Sequence, residues 1–229
     1  MSSDLPQPSA TTTHSEEATR AALEAARYAL TRRLLPVLRH HMVVHLQPIG
    51  MIYEVLYRKL AAGPGDVAPI QEGLTKINHL ARSAIGSSLD VVGWLAPDAA
   101  AATSLGDGVN GCLDMVRGSF TFRGFSLDNT IRDAPLQVSQ PALREVFTAA
   151  LIATTDSASG PIEIILSAQL SANQAVVSVH TRPGMGSGFA SDLAYRALQW
   201  RDVQALAQAH GVQLTLQGPD VHMVFAASA

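Results

Sequence analysis

Apolar residues along the first half of the chain recur at helical intervals. Leu34, Leu38, Met42, Ile49, Ile52 and Leu56 are separated by steps of three, four and seven, the repeat that keeps one face of an α-helix apolar. The pattern predicts helix from about residue 15 to Ala62, opened by a capping box at Thr13-x-x-Glu16. Pro36 and Pro48 fall inside it, so bends are expected rather than a straight rod. AAGPGDVAP (61–69) is a turn by composition. A second amphipathic run follows at Ile70, Leu74, Ile77, Leu80/Ala81, Ile85, Leu89, Val92 and Leu95. Two long helices with a short connection predict an antiparallel hairpin over 15–96. Little else in the chain could cover its apolar face, so two copies are expected to combine as a four-helix bundle. Residues 1–14 are rich in Ser, Thr and Pro, lack any period, and read as a disordered tail.

Beyond a linker at Pro97–Ala102 the periods are mixed, and 103–229 reads as a second domain. A helix stops near Arg123-Gly124. A strand is expected at Phe125–Ile131 and a helix at Gln140–Thr154. Two strands at 161–170 and 174–181 flank a turn at Ser171-Ala172-Asn173. A glycine-rich loop (183–188) precedes a helix at 191–210, and Val212–Leu216 with Val221–Ala226 close as a hairpin. The order predicts a sheet with helices on one face, and with the hairpin an α+β protein. No internal repeat is present.

Composition narrows the class. The 229 residues are 47% hydrophobic and 15% charged, enough apolar material for a real core. A net charge of -3 and a pI near 6.2 argue against a dedicated nucleic-acid binder. Apolar stretches are interrupted well before the roughly 20 residues that span a bilayer, and the N-terminus carries no secretory pattern. A cytoplasmic protein with no membrane segment is expected. Cys112 is the only cysteine, which excludes an intrachain disulfide and a cysteine zinc site; its helical apolar setting points to burial. Trp94 and Trp200 read as packing residues.

RHHMVVHLQPI (39–49) holds three histidines in six residues. His41 and His45 have the i, i+4 spacing of a zinc-binding helix, but Met42 stands at the general-base position and no third ligand is near, so no metal site is expected. At about 100° per residue, with His40 at zero, Leu38, Met42, Ile49, Tyr53 and Leu56 cluster opposite and mark the buried face. His45, at about 140°, joins that stripe as a core histidine, and His41, at about 100°, sits on its flank. His40 points away from the core. Val37, Val44, Met51 and Val55 lie within about 60° of it on the same outward face. A solvent-facing histidine in an exposed apolar patch suits a nucleophile within a protein-docking surface. Arg39, at about 260°, and Arg58, near zero but about five turns along, add positive charge.

Arg39-His40-x-x-x-x-His45-Leu46-Gln47 resembles the R-H-D-x-x-N-H-L-Q phosphoacceptor box of bacterial two-component histidine kinases and their phosphotransferase relatives. The resemblance extends over nearly the whole chain after the tail. The hairpin resembles a dimerisation and histidine-phosphotransfer domain, and 103–229 resembles the family's ATP-binding domain. LREVFTAALIAT (143–154) is similar to the N-box, HTRPGM (180–185) falls where the D-x-G-x-G box would stand, and GSG (186–188) with its following helix resembles the last glycine box. PGMGSG is then a remnant of the nucleotide lid; alone it is a weak phosphate-loop signal.

The departures are informative. The N-box asparagines, which hold the magnesium on ATP, are Ala149 and Ala153. The aspartate that anchors adenine aligns with His180, and the next glycine is Arg182. The resemblance with these losses implies no cofactor and no ATP binding. In the acceptor box His41 replaces the acid after the histidine and Val44 replaces the asparagine. Phosphotransfer from an aspartyl phosphate needs less help, because the response regulator brings its own magnesium, and a protonated His41 can hydrogen-bond a phosphoryl oxygen. The resemblance therefore implies a homodimeric histidine phosphotransferase with His40 as phosphoacceptor, assisted by His41 and Arg39. Its partners would be response-regulator receiver domains, docked on Val37, Val44, Gln47, Met51 and Val55. Two alternatives stand beside it: a non-catalytic pseudokinase scaffold, and a divergent sensor kinase.

Overall fold

The computed structural model describes residues 10–63, 67–131, 133–188 and 195–228. Of the expected tail, residues 1–9 lie outside the described residues and 10–14 are helical. The chain divides into two compact units. One joins residues up to Arg33 to Ala99–Ala229, and the other is Leu34–Asp98. The first unit thus takes in a helical segment that the hydrophobic pattern had assigned to the hairpin.

Helix α1 (Ala10–Val43) runs past the Thr13–Glu16 box, so that box does not open it. Pro36 is accommodated inside α1. The break comes instead at Val44-His45, after a last bond from the Val44 N–H to the His40 carbonyl at 2.9 Å. Pro48 explains the position. It has no N–H to return to residue 44, so it fits the first turn of a new helix and not the interior of the old one. That helix is α2 (Leu46–Ala61), and α3 (Ala68–Leu95) returns against it. Leu56 seats over Gly73, where a Cβ would come within 2.7 Å of its methyl carbon. Met42 and Tyr53, expected on the buried face, are 42% and 57% exposed, whereas Leu38 and Leu56 are buried. Met42 stands one residue before the end of α1, and Tyr53 lies about 60° round α2 from Leu56.

The other unit is a two-layer α/β sandwich. Its order is β1 (Ala102–Ser104), α4 (Leu105–Phe122), β2 (Ser126–Asn129), β3 (Gln137–Ser139) and α5 (Gln140–Ala142). A π-helical stretch, Leu143–Phe147, leads into α6 (Thr148–Ser157). Then come β4 (Ile162–Leu170), β5 (Gln174–Pro183), α7 (Trp200–Ala209), β6 (Gln213–Gln217) and β7 (Asp220–Ala226). The main sheet has the order β2-β4-β5-β7-β6, with β2 parallel to β4 and the rest antiparallel. A helical crossover is what a parallel neighbour requires. Ile164, Leu166, Val177, Val179, Met223 and Phe225 form the buried face, while Ser167, Gln169, His180 and Arg182 are exposed on the other. The fold is α+β, as expected. The pairing of β1 with β3 was not foreseen, because three residues show no period.

Helix α4 is capped by the Ser104 hydroxyl, which accepts the Asp107 N–H at 3.1 Å, and is stopped by Gly124 at φ 77°. Helix α7 begins at Trp200, not near 191; residues 191–194 of that expectation lie outside the described residues. Its start is set by Asp202, which accepts the Gln199 N–H at 2.9 Å and pairs two-pronged with Arg196 at 2.7 and 2.8 Å. Burial alone would raise the Asp202 pKa, but these hydrogen bonds outweigh it and hold the carboxyl below the usual range.

Candidate functional site

His40 lies in the last turn of α1 and is exposed. His41 beside it is half-buried, with the two rings 6.3 Å apart and inclined by 60°. Arg39 is exposed, and His45, expected in the core, is half-buried at the α1–α2 junction. Of the expected docking residues, Val44, Gln47, Met51 and Val55 are exposed and Val37 is half-buried.

Helix α2 presents two apolar faces besides the one it packs on α3. Leu46, Tyr53 and Tyr57 fall within about 40° of one another around the axis, and Met51 with Val55 lies roughly 160° away. All five are more than half exposed, and the rings of Tyr53 and Tyr57 stack 6.2 Å apart. On α3, Leu74, Ile85 and Val92 form a matching exposed stripe. The two stripes flank a groove of about 440 Å³ lined by Leu46, Ile49, Ala81, Ile85 and Val92. One side of the hairpin is therefore a long apolar seam, and the other carries the Met51/Val55 patch.

In the α/β unit, Ala149 and Ala153 are 0% exposed, sealed into the core by α6. His180 does not face the helices. It sits on the outer face of β5, beside Ile165 of β4, and its Nδ1 shares a hydrogen bond with Asp220 of β7. The residue that shares a face with buried Ile164 is Thr181. Side chains alternate along a strand, so the inward position at the end of β5 belongs to Thr181. Thr181 lines a cavity of about 490 Å³ together with Thr154, Ser157, Trp200 and Pro219. Arg182 is committed to Glu163 through two bonds of 2.7 and 2.9 Å, which hold the Glu163 carboxyl below its usual range. Among the described residues no group of three or more His, Cys, Asp or Glu could hold a metal ion. Cys112 is buried, and desolvation pushes its thiol up to about 12.

The described part of the glycine-rich segment is a packing element. A Cβ on Gly188 would lie 1.8 Å from the Arg123 carbonyl oxygen, and one on Gly186 would lie 2.4 Å from that of Gly124. The segment thus crosses the end of α4 at backbone contact, where only glycine fits. Gly188→Ala is expected to lower stability by about 2–4 kcal/mol, read from the urea midpoint. Gly160→Ala is the control, since nothing lies within 4 Å of its Cβ position. An unchanged midpoint for Gly188→Ala would show that this packing is dispensable.

Sequence reasoning missed two acidic nodes. The Asp156 side chain is 1% exposed and accepts from Arg33 of α1 through both guanidinium NH groups, one of them at 2.8 Å. It also accepts from Arg123 at 3.3 Å and from the Leu198 N–H at 3.0 Å. Glu145, in the π-helical stretch, accepts from Arg27 of α1 at 3.0 and 3.1 Å and bonds His210 at 2.8 Å. Burial would raise the Glu145 pKa, but the bonds from His210 and Arg27 prevail and hold it low. The available signal was the placement of Arg33 within a stripe of small and apolar residues, Ala26, Ala29, Leu30 and Leu34.

No helix among the described residues is long and apolar enough to cross a membrane. No family model matches the chain, and no curated protein matches it. Among solved structures it is similar to the Acinetobacter baumannii histidine kinase AdeS, at 14% identity over 82% of this chain and 97% of that one, with a TM-score of 0.37. A bacterial phosphotransferase is similar at 14% identity over 96% and 98%, TM-score 0.36. The mycobacterial sensor histidine kinase MprB is similar at 17% identity over 56% and 97%, TM-score 0.38.

Proposed function

We propose that the chain is a histidine phosphotransferase of a two-component phosphorelay, working in the cytoplasm as a homodimer. The observation that carries this reading is the exposed His40 in the last turn of α1, followed by a helical hairpin whose α2 exposes Met51 and Val55 on one side and on the other offers a separate seam for a second copy. Separate faces allow pairing and partner docking at once.

A ring nitrogen of neutral His40 attacks the phosphorus of an aspartyl phosphate in a receiver domain. The bond from phosphorus to the aspartyl oxygen breaks, the carboxylate leaves, and the ring proton passes to solvent. The reverse step delivers the group to a second receiver. The receiver supplies the magnesium that screens the phosphoryl charge. His41 and Arg39 contribute hydrogen-bond donors and charge beside the ring. Loss of ATP chemistry is supported by the alanines at 149 and 153, which carry no oxygen for a metal, and by the pairing of Arg182 with Glu163.

A scaffold that binds a receiver or kinase without carrying phosphate is favoured by one feature: His41 stands where the resemblance calls for an acid. Phosphorylated receiver domains labelled on phosphate separate the readings. The wild type is expected to take up an acid-labile label and His40→Ala to take up none. A wild type that binds a receiver and never takes label would establish the scaffold, and label retained by His40→Ala would move the carrier elsewhere.

A further inference from the structure

The two acidic nodes grip the helix that carries His40. Arg33 lies within the buried stripe of α1 and Arg27 at its edge, and both reach carboxylates of the α/β unit. Beside them on α1, Ala26 and Ala29 are fully buried and Leu30 nearly so. The Tyr28 ring meets Tyr195 edge-on at 5.6 Å, and the Arg32 guanidinium lies 5.9 Å from the centre of the Tyr195 ring. The geometry fixes more than attachment. The two-pronged Arg33–Asp156 pair tolerates little displacement, and Arg27 adds one Nε–H shared between both Glu145 oxygens. A one-residue slide of α1 would move Arg33 by about 1.5 Å and turn it by about 100°. The pairs at Arg27 and Arg33 therefore set both the rotation and the axial register of α1. Neither takes part in phosphoryl chemistry.

We infer that the α/β unit is a positioning module. It holds α1 through Asp156 and Glu145, with Arg33 and Arg27 as positioning residues, and thereby orders the helix that carries His40 in its last turn. The grip itself stands on this geometry alone; its effect on His40 rests on the relay reading. A unit acting in this way has a use for its fold without any nucleotide.

The test uses the full chain with Arg27→Gln and Arg33→Met combined. Asp156 keeps Arg123 and the Leu198 N–H, and Glu145 keeps His210, so the α/β core retains partners for both carboxylates. Hydrogen exchange is expected to speed up about tenfold or more across residues 19–33 while β4, β5 and β7 stay protected. The maximal rate of label uptake from a phosphorylated receiver is expected to fall about tenfold, as for a displaced reactive group. The receiver concentration at half-maximal rate should stay unchanged, because the docking residues are untouched. Arg33→Lys, which keeps charge but loses the fork, should fall between. Unaltered exchange in 19–33 would overturn the grip. Faster exchange with an unchanged rate would overturn the positioning role. If the wild type takes no label from any receiver, the relay reading fails, and with it the claimed effect on His40; the exchange result still decides the grip.

Discussion

Replacing Asp156 by alanine is expected to destabilise the α/β unit by about 3–5 kcal/mol, the largest effect of any single substitution considered for this chain. The carboxylate is 1% exposed, and the guanidinium groups it holds are themselves largely buried, at 9% for Arg33 and 15% for Arg123. Its removal leaves two cations with little water to take its place, and the Leu198 N–H loses its acceptor. Four chain segments meet at this one group: α1, the end of α4, the end of α6 and the stretch entering α7. Urea unfolding followed by circular dichroism should show the loss as a lower midpoint with an unchanged slope. Asp156→Asn, which keeps the shape and part of the bonding, should cost less. Glu24→Ala is the contrast, because the Arg20–Glu24 pair is 82% and 67% exposed and is worth at most about 0.5 kcal/mol. Equal midpoints for Asp156→Ala and Glu24→Ala would show that the node carries no stability.

That node also marks where the sequence ceased to be legible. Helical periods are local, so both hairpin helices, the closing β-hairpin and most of the sheet could be anticipated from spacing alone. The partners of Asp156 and Glu145 on α1 are more than 100 residues away along the chain, and no local pattern announces such a pair. Residues up to Arg33 were therefore assigned to the hairpin, although their buried stripe belongs to the α/β unit. The helix break shows a different limit. Proline acts on the carbonyl four residues upstream, so the effect of Pro48 appears at Val44-His45, and the phase counted from His40 to place Tyr53 was carried across a discontinuity. His180 shows a third. Alignment by motif is good to a residue or so, but in a strand one residue exchanges the two faces. The structure turns His180 outward to Asp220 and leaves Thr181 facing in. His40, Met51 and Val55 are exposed as expected, although the count from His40 that placed Met51 and Val55 also crossed that break.

The seam of the hairpin supports a second expectation. On the dimer proposed above, Ile85→Glu combined with Val92→Glu should convert a pair of 24.2 kDa chains to monomer, measured by sedimentation across a concentration series. Both side chains are more than half exposed in the single chain, and both line the groove beside Leu46. Pairing by knobs into holes would place them between four helices, where a carboxylate finds neither water nor a cation. Two such charges per subunit should weaken association by about a hundredfold or more. Met51→Glu supplies the opposite test. It lies on the other side of α2, so the dimer should persist while label uptake from a phosphorylated receiver slows. A charge pair in the seam that leaves the dimer intact would place the interface elsewhere. A seam variant that loses dimerisation yet takes label at the wild-type rate would show that each hairpin works alone. If instead Met51→Glu breaks the dimer, the two faces are one surface, and receiver docking would have to compete with self-association.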